Sequence, residues 1–155
     1  MVTLIGMGSG SWEALSVQAQ DAVRRAGLVF GAKRLLAGLP PECTARQFAL
    51  YQPAEILETL AQAPGQDAAV LYSGDTGFYS GASGLLTPLR ALGIPARVYP
   101  GVSSIQLLAA ALGRPWQDWK LVSAHGCACD PVAQCMTERS VFFLTGGAET
   151  PATLC

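Results

Sequence analysis

Short apolar runs alternate along this chain with segments whose apolar residues recur at helical spacing. Val2 to Ile5 is an apolar run that ends at a glycine. Ser16 has the character of a helix N-cap, with Ala19, Ala22, Val23 and Ala26 on one face after it and Gly27 closing the segment. Leu28 to Phe30 predicts a second strand before Gly31, and Pro53 opens a helix carrying Ile56, Leu57 and Leu60 at inward spacing. Ala68 to Tyr72 predicts a fully buried third strand that runs into Ser73-Gly74-Asp75. Gly81 to Leu92 has a helical pattern, weakened by Gly84 and Pro88. Arg97 to Tyr99 predicts a fourth strand stopped by Pro100-Gly101, and Ser103 or Ser104 caps a helix running to about Leu112. Leu121-Val122 and Val141 to Leu144 predict two further strands, separated by a helix over Asp130 to Thr137.

Strands that are apolar on both faces and joined by helices predict an α/β fold with a parallel sheet covered on both sides. Gly113-Arg114-Pro115 pairs two helix breakers, so the expected organisation is an N-terminal α/β domain over 1–113 and a partial C-terminal α/β domain over 114–155. Thr150-Pro151 is a good helix start with only four residues after it. The last strand is therefore expected to lack its covering helix, the second domain to be incomplete, and the chain to be a shortened version of a longer protein.

Composition narrows the function classes. The 155 residues are 50% hydrophobic and 14% charged with a net charge of -1, which excludes a disordered tail and argues against a nucleic-acid partner, since a basic stripe is missing. No apolar run approaches the ~20 residues of a membrane span, and Gly6, Gly8 and Gly10 interrupt what would be a leader segment. A soluble cytoplasmic protein is expected. The five cysteines are an odd number crowded toward the end, which reads as reduced thiols. His125, Cys127, Cys129 and Cys135 offer nitrogen and sulfur ligands, but C-x-C-x5-C is not a zinc spacing, so no metal is expected.

Candidate chemistry gathers at three strand ends: Gly6-Met7-Gly8-Ser9-Gly10, Ser73-Gly74-Asp75-Thr76-Gly77-Phe78-Tyr79 and Pro100-Gly101-Val102-Ser103-Ser104. Ligands of open α/β sheets bind beyond the carboxyl ends of strands, and glycine lets backbone approach them closely. The first loop is G-x-G-x-G, not the dinucleotide fingerprint, and Phe30 is followed by Gly31, Ala32, Lys33 and Arg34 with no acidic residue to grip a ribose. NAD is disfavoured, and without a Walker motif so is an NTPase. Asp75 is either a turn-forming cap or an acceptor for ligand hydroxyls or amine. His125, the only histidine, reads as a structural residue or substrate contact ahead of a base. Lys33-Arg34 is either a solvated basic pair at a helix start or an anchor for substrate carboxylates.

Val2 to Ser16, Leu71 to Ser80 and Tyr99 to Ile105 resemble the tetrapyrrole methylase family. Phe30 to Leu35 and Ser123-Ala124-His125-Gly126 are most similar to its branch that methylates C5 of precorrin-6Y or cobalt-precorrin-7 in cobalamin biosynthesis. The resemblance implies two α/β domains with S-adenosylmethionine bound in the cleft between them, a homodimer when full length, and methyl transfer to a ring carbon of a corrinoid substrate. It implies cofactor contacts from Gly8, Ser9 (where many relatives have proline), Ser73, Gly74, Asp75, Phe78, Ser103 and Ser104, with Leu144 or Thr145 approaching from the second domain. Lys33, Arg34 and His125 are the implied substrate contacts. Relatives that methylate uroporphyrinogen carry an acidic residue where this chain has Gly31-Ala32, which favours the C5 branch. Methyl transfer from a sulfonium to an electron-rich carbon needs alignment more than acid–base groups, which agrees with their scarcity here. Two other readings stand beside this one: a methylase of the same fold acting on RNA or protein, and a shortened, non-catalytic cofactor-binding module.

Overall fold

Successive side chains of the first strand feed two different cores, and this alternation builds the sheet. In the computed structural model, which describes residues 1–125, 129–137, 139–146, 150 and 152, the chain divides into two compact units, Met1–Ser103 and Ser104–Cys155. The division falls ahead of the helix that ends near Leu112, whereas the Gly113-Arg114-Pro115 breaker had put it after that helix.

The first unit contains β1 (Val2–Gly6), α1 (Val17–Arg25), β2 (Leu28–Phe30), α2 (Lys33–Leu36), β3 (Arg46–Phe48), α3 (Pro53–Ala61), β4 (Ala68–Tyr72), α4 (Ala82–Ala91) and β5 (Ala96–Tyr99). Its strands form a sheet in the order β3-β2-β4-β1-β5, and every pairing is parallel. Val2 and Leu4 of β1, Leu28 and Phe30 of β2, and Ala68 and Val70 of β4 meet Ile56 of α3 and Ala82, Leu85 and Leu89 of α4 on one face. Ile5, Val29, Ala69 and Leu71 point the other way, onto Ala19 and Val23 of α1 and Leu35 of α2. Each face is thus covered, as strands apolar on both sides require.

This arrangement fixes where a ligand site can form. β1 and β4 are neighbours, yet β1 leads to α1 on one face and β4 leads to α4 on the other. Their crossovers leave on opposite faces, which makes the carboxyl ends of β1 and β4 the switch point at which open α/β sheets bind ligands.

Local signals set the helix ends. The Ser16 Oγ accepts from the Ala19 amide at 3.3 Å, so the expected N-cap of α1 is in place. Pro53 occupies the first turn of α3, where its missing N–H costs nothing. Pro88 sits inside α4 and the helix continues through it, with the Leu92 amide donating to the Pro88 carbonyl at 3.0 Å. Two elements had no hydrophobic signature. β3 is an edge strand with Arg46 and Gln47 exposed, held by Phe48 stacked on Phe30 at 5.2 Å, and α2 is a single turn.

The second unit contains α5 (Ser104–Leu112), β6 (Lys120–His125), α6 (Pro131–Thr137) and β7 (Val141–Gly146). β6 and β7 pair in parallel from Lys120 opposite Val141 to His125 opposite Gly146, each longer than its apolar run predicts. The Asp130 Oδ1 accepts from the Ala133 amide at 3.1 Å and caps α6. The helix expected from Thr150-Pro151 lies outside the described residues.

Replacing Ser16 with Ala removes the α1 cap and should lower unfolding free energy by about 1 kcal/mol in urea titrations, while Ser16→Asp retains it.

Candidate functional site

Three strand ends meet backbone to backbone at this switch point. The Met7 amide donates to the Tyr72 carbonyl at 2.8 Å, extending the β1–β4 pairing into the loops. Beyond it, Gly8 and Gly74 form an antiparallel bridge: the Gly8 amide donates to the Gly74 carbonyl at 3.1 Å and the Gly74 amide returns to the Gly8 carbonyl at 3.0 Å. Both glycines have positive φ, 55° and 65°, a region that costs other L-residues strain.

The third loop closes against the other two. A Cβ on Gly6 would stand 2.6 Å from the Gly101 nitrogen and 2.6 Å from the Gly74 carbonyl oxygen. A Cβ on Gly101 would collide with the carbonyl oxygens of Gly74 and Gly6. Only glycine permits this approach at either position.

Asp75 ties the meeting point together. Its Oδ2 accepts from the Gly77 amide at 3.1 Å, turning its own loop, and its Oδ1 accepts from the Gly101 amide at 3.2 Å, reaching the loop after β5. The Thr76 hydroxyl adds a contact to the Tyr99 carbonyl at 3.5 Å. Of the two sequence readings of Asp75, the turn-forming one is what these bonds express, extended by a tie to a second loop.

The candidate residues fall into distinct groups. Gly8, Ser9, Ser73, Gly74, Asp75 and Phe78 lie on the joined β1 and β4 loops. Ser9 and Ser73 are exposed on either side of the bridge, and a Cβ on Gly74 would meet nothing within 4 Å. Ser103 is 4% exposed, and Ser104 is the exposed first residue of α5. Lys33 and Arg34 are exposed on α2, and the Arg34 Nη1 lies 3.8 Å from where a Gly10 Cβ would stand. Arg34 therefore borders the first loop, a closeness the sequence did not reveal. Leu144 and Thr145 of β7 stand opposite Ser123 and Ala124 of β6. His125 is exposed at the end of β6, with its ring against Gly146. Cys127 lies outside the described residues, and no three His, Cys, Asp or Glu side chains gather as a metal site among those described.

Two features escaped the sequence reading. Tyr79 has φ 47°, the one positive value at a non-glycine position among the described residues, with its ring edge-on to Phe78 at 4.9 Å. Tyr72, at the end of β4, buries its hydroxyl without a hydrogen-bond partner among the described residues, and burial pushes its phenol up to about 12. It stays a neutral phenol at physiological pH.

At the bridge Gly8 is buried against Val102, whereas Gly74 leaves open space where a side chain would stand, so the accessible ledge is the Gly74 backbone, flanked by the Ser9 and Ser73 hydroxyls and, further along its loop, by aromatic rings. Such a ledge suits a nucleoside-bearing cofactor, whose flat parts need close backbone approach and whose edges need hydroxyls and amides.

Sheet order and switch point define an open α/β fold with its candidate ligand site at the carboxyl ends of β1 and β4. The chain belongs to the tetrapyrrole (corrin/porphyrin) methylase family, whose profile matches residues 1–152; its members are S-adenosylmethionine-dependent methyltransferases. A cobalt-precorrin-7 C(5)-methyltransferase from Salmonella typhimurium is 33% identical over 147 residues, covering 94% of this chain and 71% of that protein. A precorrin-4 C(11)-methyltransferase from Rhodococcus erythropolis is 32% identical over 120 residues, 73% of this chain and 48% of that protein. The solved methyltransferase CobJ shares the fold with a TM-score of 0.70 at 23% identity, over 87% of this chain and 61% of its own. Uroporphyrin-III C-methyltransferase from Thermus thermophilus, solved with S-adenosylhomocysteine, does so with a TM-score of 0.63 at 24% identity, over 80% of this chain and 55% of its own. The chain thus spans less than two thirds of each of these two structures. No helix among the described residues is long and apolar enough to cross a membrane.

Gly101→Ala should disrupt the meeting of the loops and cost several-fold more cofactor affinity than Gly65→Ala, a left-handed position remote from the site, when both are titrated with S-adenosylhomocysteine. Tyr72 also predicts a pH effect. Its folded pKa lies above the ordinary value of 10.0, so the stabilisation is complete below pH 10 and is lost as pH rises toward 12. Unfolding free energies from urea titrations should fall more steeply over that window in the native protein than in Tyr72→Phe, by up to about 2 kcal/mol.

Proposed function

We propose that this protein transfers a methyl group from S-adenosylmethionine to C5 of a corrin-ring precursor, precorrin-6Y or its cobalt counterpart cobalt-precorrin-7, in cobalamin biosynthesis. The observation that carries this reading is the glycine-lined meeting of the β1, β4 and β5 loops in a tetrapyrrole methylase chain. The choice of C5 is supported by the Salmonella relative, which aligns over 94% of this chain against 73% for the C(11) enzyme from Rhodococcus. On this reading the protein works in the cytoplasm as a homodimer.

The chemistry asks for positioning. Bound S-adenosylmethionine supplies an already activated methyl group. On this reading the bridge from Gly8 to Gly74 provides the backbone floor, and the Ser9 and Ser73 hydroxyls bond polar edges of the cofactor, with Ser103 and Ser104 as the contacts proposed from the loop after β5. Asp75 acts by holding the β4 and β5 loops together, because both its oxygens already accept backbone amides. Alignment of donor and acceptor at about 3–3.5 Å, with water excluded, accounts for the rate such a site can reach. No proton abstraction is assigned to any residue. A corrin precursor carries several carboxylates, and Arg34 beside Gly10, with Lys33 on the same turn, supplies cations at the border of the first loop.

Calorimetric titration with S-adenosylhomocysteine tests the cofactor part: micromolar binding is expected, and Asp75→Ala should weaken it about tenfold or more by releasing the loops. Absence of binding by a folded sample would remove the proposal. Rescue of a bacterial strain lacking the C5 step tests the acceptor. Replacing Lys33 and Arg34 together with Ala should raise the KM for the corrinoid and leave cofactor affinity within twofold. Loss of cofactor binding instead would show the pair to be structural.

A further inference from the structure

Tyr79 is held in a conformation that its residue type resists. A φ of 47° is the left-handed region, uncommon for bulky side chains and costly enough that glycine is the usual occupant. The strain serves no visible packing purpose, since the Tyr79 side chain is 53% exposed and its ring contact is edge-on to Phe78 at 4.9 Å. The Ser80 hydroxyl, next in the chain, accepts from the Ala82 amide at 3.2 Å and fixes the start of α4. The ring is therefore presented outward from a loop pinned on one side by Asp75 and on the other by that cap.

The surrounding groups suggest what the ring is for. The sulfonium of S-adenosylmethionine is a cation and needs an electron-rich neighbour. Across Gly6 to Gly10, Ser73 to Ser80 and Pro100 to Ser103 there is one carboxylate, Asp75, which is held in place by the Gly77 and Gly101 amides. Arg34, beside Gly10, adds positive charge. The exposed Tyr79 ring is a further electron-rich surface on these loops, and an aromatic face attracts a cation within about 6 Å of its centroid.

We infer that Tyr79 is a cofactor-selecting residue, whose strained backbone presents the ring to the sulfonium so that the charged methyl donor is preferred over its neutral thioether product. The inference rests on the proposed cofactor site. It gives the left-handed conformation a use: favouring exchange of spent product for fresh donor.

S-adenosylmethionine, S-adenosylhomocysteine and sinefungin, which carries an amine cation near the sulfonium position, separate charge from shape. Each is titrated into the native protein, Tyr79→Phe and Tyr79→Leu, with thermal melting to check folding and Tyr79→Gly as the unstrained control without a ring. Tyr79→Leu and Tyr79→Gly should weaken both cationic ligands roughly two- to thirty-fold while leaving S-adenosylhomocysteine within twofold. Tyr79→Phe should keep the native preference. Equal losses for all three ligands, or no loss, would overturn the inference while leaving the cofactor site standing. Failure of the native protein to bind any of them would remove the site and the inference together.

Discussion

The molecule depends on a contact between pieces of main chain. Gly6, Gly74 and Gly101 bring three strand ends so close that a methyl group on Gly6 or Gly101 has nowhere to go. Close backbone approach of this kind leaves amides and carbonyls without side chains to cover them, so they must bond one another. They do so through the Gly8–Gly74 bridge and through Asp75, whose two oxygens take the amides of Gly77 and Gly101. The carboxylate is thus an organiser of loops, and an ionised acceptor makes stronger bonds to amides than a neutral one.

Everything upstream sets up that contact. Alternation along β1 sends Val2 and Leu4 to one core and Ile5 to the other, so both faces carry helices. The β1 and β4 crossovers then leave on opposite faces, which puts the switch point of the sheet at the loops that meet. A methyl transferase suits such a frame. The reaction asks for rigid alignment, and a backbone ledge held by strands is stiffer than one assembled from long side chains. In its inferred role the Tyr79 ring adds a point of electronic preference to a site whose loops Asp75 ties together.

Much of this was legible in the chain. Apolar runs marked β1, β2, β4 and β5, and Ser16 and Pro53 marked helix starts that the structure contains. Their signals are local, so a linear reading finds them. β3 was hidden because an edge strand with Arg46 and Gln47 exposed shows no apolar alternation, and the helix start read at Lys33-Arg34 is the single turn α2, too short for a periodic pattern to mark its end. At the site, glycine-rich loops were visible but their convergence was not, since Gly6 and Gly101 are joined only by folding. The near approach of Arg34 to Gly10 has the same long-range origin. Tyr79 gave no warning either: tyrosine is not a residue that left-handed turns select, so its φ is visible only in three dimensions.

The most direct measurement follows the backbone amides of the isotopically labelled protein by NMR as S-adenosylhomocysteine is added. Shifts concentrated at Gly8, Ser73, Gly74, Asp75, Gly101 and Ser103, from all three strand-end loops at one common affinity, are expected from a site built on their meeting point. Binding accompanied by shifts confined to other parts of the chain, with these amides unmoved, would contradict it.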